Sequence, residues 1–112
     1  MTDLNELLEL ASRLGEKTAA HQRTTNLRTA QKAVNDDPDA RNLIEKYQKH
    51  AEHIRSLEAQ QKPIEPADKH KLADIEQQIS ANAALSELTR RQVDFVEMMQ
   101  QIKRRIDEKL QA

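Results

Sequence analysis

Apolar side chains fall along this chain in helical rhythm. Leu85, Leu88, Gln92, Phe95, Met99, Ile102 and Ile106 recur at alternating gaps of three and four residues, with Leu110 one turn further on. Only Gln92 is polar, so these positions draw a single seam along a helix predicted over 83–110. At 1.5 Å per residue the seam runs about 40 Å. A single short chain covers so long and narrow a stripe poorly, so the pattern asks for another long helix beside it.

The remaining elements follow from punctuation between similar stripes. Asp3 is placed to cap a first helix, with Glu6 three residues later able to reach back. Leu4, Leu7, Leu8, Ala11 and Leu14 give that helix a face. From Gly15 to Asn26 the pattern thins into small, polar and β-branched residues before Leu27, Ala30 and Val34 restore it. A bend and a continuous helix both remain open there; the absence of proline or a turn cluster favours continuity, and the helix is drawn over 3–35. Asn35-Asp36-Asp37-Pro38-Asp39 is the clearest stop and restart, with Asp37 as N-cap and Pro38 in the first helical position. The helix over 38–61 then carries Leu43, Tyr47, His50, Ile54 and Leu57 as its seam. Pro63 and Pro66 bracket a connector that cannot be helical. A shorter helix over 66–81 shows Leu72, Ile75 and Ile79, and Asn82 can cap the last helix. The expected architecture is one all-α domain over 1–112, built of long antiparallel helical hairpins in a coiled-coil-like bundle and completed by oligomerisation.

Composition supports helices and narrows the partners. The 112 residues contain one glycine and three prolines, with 33% charged residues and a mean hydropathy of -0.91. That balance would border on disorder if the apolar residues were scattered, but they are periodic. Eighteen basic against 19 acidic residues give a net charge of -1, which argues against a general attraction to nucleic acid or anionic membrane. The runs Arg90-Arg91 and Lys103-Arg104-Arg105 do not change this, because the helical stripe through Arg90, Asp94, Glu97, Arg104 and Glu108 mixes signs. Tyr47 and Phe95 are the only aromatics and both sit on seams, which leaves no platform for stacking bases. Direct nucleic-acid binding is not expected. No apolar run is long enough to span a membrane, and the N-terminus has no signal-like segment, so a cytoplasmic protein is expected.

No constellation for chemistry stands out. A single glycine rules out Gly-rich phosphate loops and a Gly-flanked serine nucleophile. His50 and His53 lie three apart, yet the Glu-x-x-His spacing of di-iron bundles is missing, and they read as a seam-edge histidine and a solvated one. His21 and His70 stand alone in polar surroundings. Carboxylates lie within a turn of basic residues, as in Glu45 with Lys49, Arg90 with Asp94 and Arg104 with Glu108, each pair contributing about 0.2–0.5 kcal/mol to a helix. No catalytic residue, metal or cofactor is expected, and the chain is not read as an enzyme. Met98, Met99 and Val96 broaden the apolar face of the last helix, a pattern that fits packing in a bundle or dimer. The association seam is therefore Leu85, Leu88, Phe95, Met99, Ile102 and Ile106 on the last helix, with Leu43, Tyr47 and Ile54 on the second.

The segment from Leu8 to Ile106 resembles the YlbF/YmcA family of small bacterial helical proteins. The likeness rests on Ala11 and Leu14, then Leu27, Ala30 and Val34 leading to Asp37-Pro38-Asp39-Ala40. It continues through Leu43-Ile44, Tyr47, Ile54, the Gln60-Gln61-Lys62-Pro63 connector, the seam at Leu72, Ile75 and Ile79, Asn82, and the stretch Ile102 to Ile106. The resemblance implies a self-associating regulator without enzymatic activity that acts through protein partners. The best-described members belong to a complex that modulates messenger RNA processing by an endoribonuclease, with effects on competence and biofilm formation. Some members bind an iron-sulfur cluster through cysteines; this chain has none, so the cluster does not carry over. Two readings remain: a regulatory adaptor, with homo-oligomerisation and other protein partners, and a purely structural self-associating coiled-coil module, with an RNA-binding helical protein behind both.

Overall fold

The computed structural model describes residues 3–111; Met1, Thr2 and Ala112, at the ends of the expected domain, lie outside them. It contains five helices: α1 Leu4–Ala20, α2 Gln22–Asn35, α3 Pro38–Ala59, α4 Pro66–Ala81 and α5 Ala83–Leu110. No strand occurs among the described residues. By its contacts the chain divides into two compact units. One comprises the chain up to Thr29 and from Arg90 onward; the other is Ala30–Thr89, so the divisions fall inside α2 and α5.

In the first unit, the Asp3 carboxylate caps α1 by accepting the Glu6 N–H at 2.8 Å. The expected continuous helix does not hold: it breaks at His21, whose backbone is extended at φ -67° and ψ 148°. Gly15 is not the cause. The His21 N–H still reaches the Thr18 carbonyl at 3.2 Å, and the Thr24 hydroxyl donates to the same carbonyl at 2.6 Å from a buried position. On the other side of the break, His21 Nδ1 accepts the Arg23 N–H at 3.0 Å and so serves the start of α2 as a cap residue would. Two side chains that are not helix breakers, those of His21 and Thr24, thus satisfy groups that the break exposes. Arg23 Nη1 then donates to the Asp94 carbonyl of α5 at 3.0 Å, fastening α2 to it.

The second unit holds a small continuous core. Val34, Ala40 and Leu85 are buried, with Leu43, Ile44, Ile79, Ala84 and Leu88 packed against them. Ala40 has no exposed surface, and it is positioned by the Asp37 cap, whose carboxylate accepts from the Asp39 and Ala40 amides at 3.0 and 3.4 Å. The α2–α3 corner is therefore both a turn and part of the core. α3 ends two residues before the expected Gln61, and Gln61 itself takes φ 57°, the left-handed region. Its N–H bonds the Glu58 carbonyl at 3.0 Å while the Lys62 N–H reaches back to Leu57 at 2.8 Å. This is a Schellman ending with glutamine where glycine is usual. Pro66 opens α4, which buries Ile75 and packs against α3, where the buried His50 bonds the Asp68 carbonyl oxygen. Asn82 starts α5 by accepting the Leu85 N–H at 2.9 Å.

Candidate association site

The side chains of the expected association seam separate by unit. In the Ala30–Thr89 unit, the expected seam residues turn inward: Leu85 is buried, and Leu43 and Leu88 are half-buried against the core. Ile54 is half-buried and Tyr47 is 40% exposed, both lining a shallow groove with Ala51 and Leu72.

In the other unit the expected α5 seam splits in two. Phe95 and Ile102 are half-buried, and the residue that joins them inside is Met98 at 8% exposure, not Met99 at 40%. Met99 instead lies with Val96, Ile106 and Leu110 on an outward stripe, all at least 40% exposed. The physical reason is helical geometry: at about 100° per residue Met98 and Met99 flank the line of Phe95 and Ile102 at about 50° on either side, so the spacing admits both, and the packing buries Met98.

α1 is the feature that the seam assignment left out. It has no buried residue. Leu4, Leu7, Leu8, Leu10 and Leu14 are 68, 52, 54, 49 and 40% exposed, and four of them lie on the face that the sequence draws. Together they leave between two and three leucines' worth of side chain in water, an unburied hydrophobic contribution of about 4–8 kcal/mol at 1.5–3 kcal/mol per side chain. The signal for this was present in the leucine spacing, but no rule of sequence distinguishes a stripe that its own chain covers from one that it leaves open. Between α1, the start of α2 and the end of α5 lies a groove of about 410 Å³ lined by Leu14, Gly15, Thr18, Phe95, Met99 and Ile102. At Gly15 a β-carbon would meet nothing within 4 Å.

Polar features are modest. Glu45 pairs with Lys49 at 2.9 Å as expected. Asp94 meets Arg91 at 3.8 Å, and Glu108 meets Arg105 at 3.7 Å, each one residue away from the basic partner chosen by the four-residue spacing. His50 Nε2 bonds the Asp68 carbonyl oxygen at 2.7 Å, and His53 Nε2 lies 3.3 Å from the Asp68 carboxylate. No group of three or more histidine, cysteine or acidic side chains among the described residues could hold a metal ion. No helix among them is long and apolar enough to cross a membrane.

Five helices among the described residues, with no strand and an open leucine stripe on α1, define a class, the small all-α proteins. The family described as "Control of competence regulator ComK, YlbF/YmcA" matches residues 7–111, and the chain belongs to it. Among solved structures, RicA of Bacillus subtilis, crystallised in complex with RicF, shares the fold with a TM-score of 0.85. The two chains are 17% identical, over 94% of this chain and 93% of RicA. No curated protein sequence matches the chain.

Proposed function

We propose that this protein is a non-enzymatic regulatory adaptor of the bacterial cytoplasm, which works by pairing its helices with those of other proteins, a second copy of itself included. The observation that carries this reading is α1, an amphipathic helix with five leucines and no buried residue. Exposed apolar stripes of this extent are found where another surface covers them. The outward stripe of α5 through Val96, Met99 and Ile106 adds to it. Membership of a family of competence-control regulators supports a regulatory role, and RicA's occurrence in a complex with RicF supports heteromeric pairing for this fold. On this reading the partners are other small helical proteins, and the regulated process is messenger RNA processing by an endoribonuclease.

Affinity capture from the native cell at native expression level tests the proposal. Recovery of an endoribonuclease or of family relatives, lost when Leu7 and Leu14 are both replaced by glutamate, supports the adaptor. Recovery of the chain itself and nothing else sinks it in favour of a structural self-associating module.

A further inference from the structure

A different surface, between α3 and the first turns of α4, points to a small ligand. A pocket of about 320 Å³ is lined by Lys46, Lys49, His50, His53, Asp68 and Lys71. Three ammonium groups and two imidazoles thus face one carboxylate. The other nearby acid, Glu45, is engaged with Lys49 at 2.9 Å. No ion pair joins Lys46 or Lys71 to a carboxylate among the described residues.

The floor of the pocket is built. His50 is only 4% exposed, and its Nε2 bonds the main-chain carbonyl oxygen of Asp68 at 2.7 Å. A carbonyl only accepts, so Nε2 carries the hydrogen and the ring orientation is fixed. The carboxylate of the same Asp68 lies 3.3 Å from His53 Nε2, and the two rings stand 6.0 Å apart. One residue of α4 therefore holds both imidazoles of α3. α4 adds positive potential of its own, because Pro66 occupies its first turn and no side chain caps its free amides. Lys46 and Lys71, both exposed, add like charge to this lining, and an anion would offset their mutual repulsion.

We propose that this pocket binds a small, multiply charged oxyanion of the phosphate class. Cationic groups on two facing helices suit a ligand that carries more than one charge. Neither Tyr47 nor Phe95 lines the pocket, so it offers no surface for a stacked base and fits the phosphoryl group alone.

The chain's four histidines make the test direct. Imidazole Cε1–Hε1 NMR correlations of the full-length protein are followed while pyrophosphate is added at constant ionic strength. The His50 and His53 signals are expected to shift saturably, while His21, on the other unit, stays in place. Asp68→Asn removes the pocket's carboxylate but keeps the carbonyl that holds His50, and is expected to tighten half-saturation several-fold. The double substitution Lys46→Gln, Lys71→Gln affects two exposed side chains and is expected to weaken it at least tenfold with helical content unchanged. Equal, unsaturated drift of all four histidines would overturn the proposal, as would an unaltered half-saturation in the double variant.

Discussion

Replacing Leu8 by glutamate separates what α1 contributes to folding from what it contributes to association. Leu8 is 54% exposed, and it sits on a helix with no buried residue. Within the isolated chain the substitution removes little packing, and leucine and glutamate have similar helix propensities, so the expected change in stability is within about 0.5 kcal/mol. In an assembly that covers α1 the loss is larger. Burying the exposed half of a leucine is worth about 0.8–1.5 kcal/mol, by halving the value for a whole side chain. An uncompensated polar group in its place adds about 1–3 kcal/mol. The sum of roughly 2–4 kcal/mol corresponds to a dissociation constant about 30- to 1,000-fold weaker, at tenfold per 1.4 kcal/mol. Sedimentation velocity across a concentration series measures the association, and urea unfolding at a concentration where the chain is dissociated measures the fold. Leu85→Ala is the reciprocal control, because Leu85 is 7% exposed in the core of the other unit. It is expected to cost about 2–5 kcal/mol of stability while leaving the α1 face intact. If Leu8→Glu leaves the dissociation constant unchanged, or lowers stability as much as Leu85→Ala does, the assignment of α1 to association is wrong.

Two further substitutions probe the backbone. Gln61 holds φ 57°, which costs an L-residue about 1–2 kcal/mol and glycine much less; after glycine's greater loss of freedom on folding, Gln61→Gly is expected to stabilise the protein by about 0.5–1 kcal/mol in urea unfolding. Destabilisation would show that the Gln61 side chain contributes more than its backbone costs. At Gly15 an added methyl group meets open space, so Gly15→Ala is expected to stabilise α1 by up to about 1 kcal/mol, read as a higher melting temperature at a concentration where the chain is monomeric. A lower melting temperature there would mean that the groove closes on Gly15 in solution.

The parts of the fold legible in the sequence are those set by neighbours in the chain. Asp3, Asp37, Pro38, Pro66 and Asn82 sit where the structure starts its helices, because a cap satisfies amides within three residues of itself and needs nothing distant. The break at His21 was not legible. It depends on an imidazole nitrogen and the Thr24 hydroxyl replacing backbone partners, and neither residue type marks a helix end as glycine or proline does. The left-handed Gln61 escapes for a similar reason, since the ending is stabilised by its backbone hydrogen bonds and not by the residue that makes it easy. At the candidate site, periodicity marked apolar lines on α3 and α5 but not which side of each is covered, and the seam drawn from it left out α1. Met98 and Met99 are both apolar, and their difference in burial follows from about 100° of rotation per residue, which a pattern of letters resolves only when the partner is known. Leu85 and Leu43 read as association residues for the same reason that they pack well inside one unit.

The junction at His21 also sets an angle. In one unbroken helix at about 100° per residue, the face of Leu27, Ala30 and Val34 would lie roughly 130° around the axis from the stripe of Leu4, Leu7, Leu8 and Leu14. Both could not address the same side. The extended residue at His21 interrupts that fixed relation, so the direction in which the leucines point is no longer dictated by the helix that follows. His21 is in this sense a phase shifter: it lets α2 keep the register required by Val34 and Ala40 while α1 offers its leucines at an azimuth of its own.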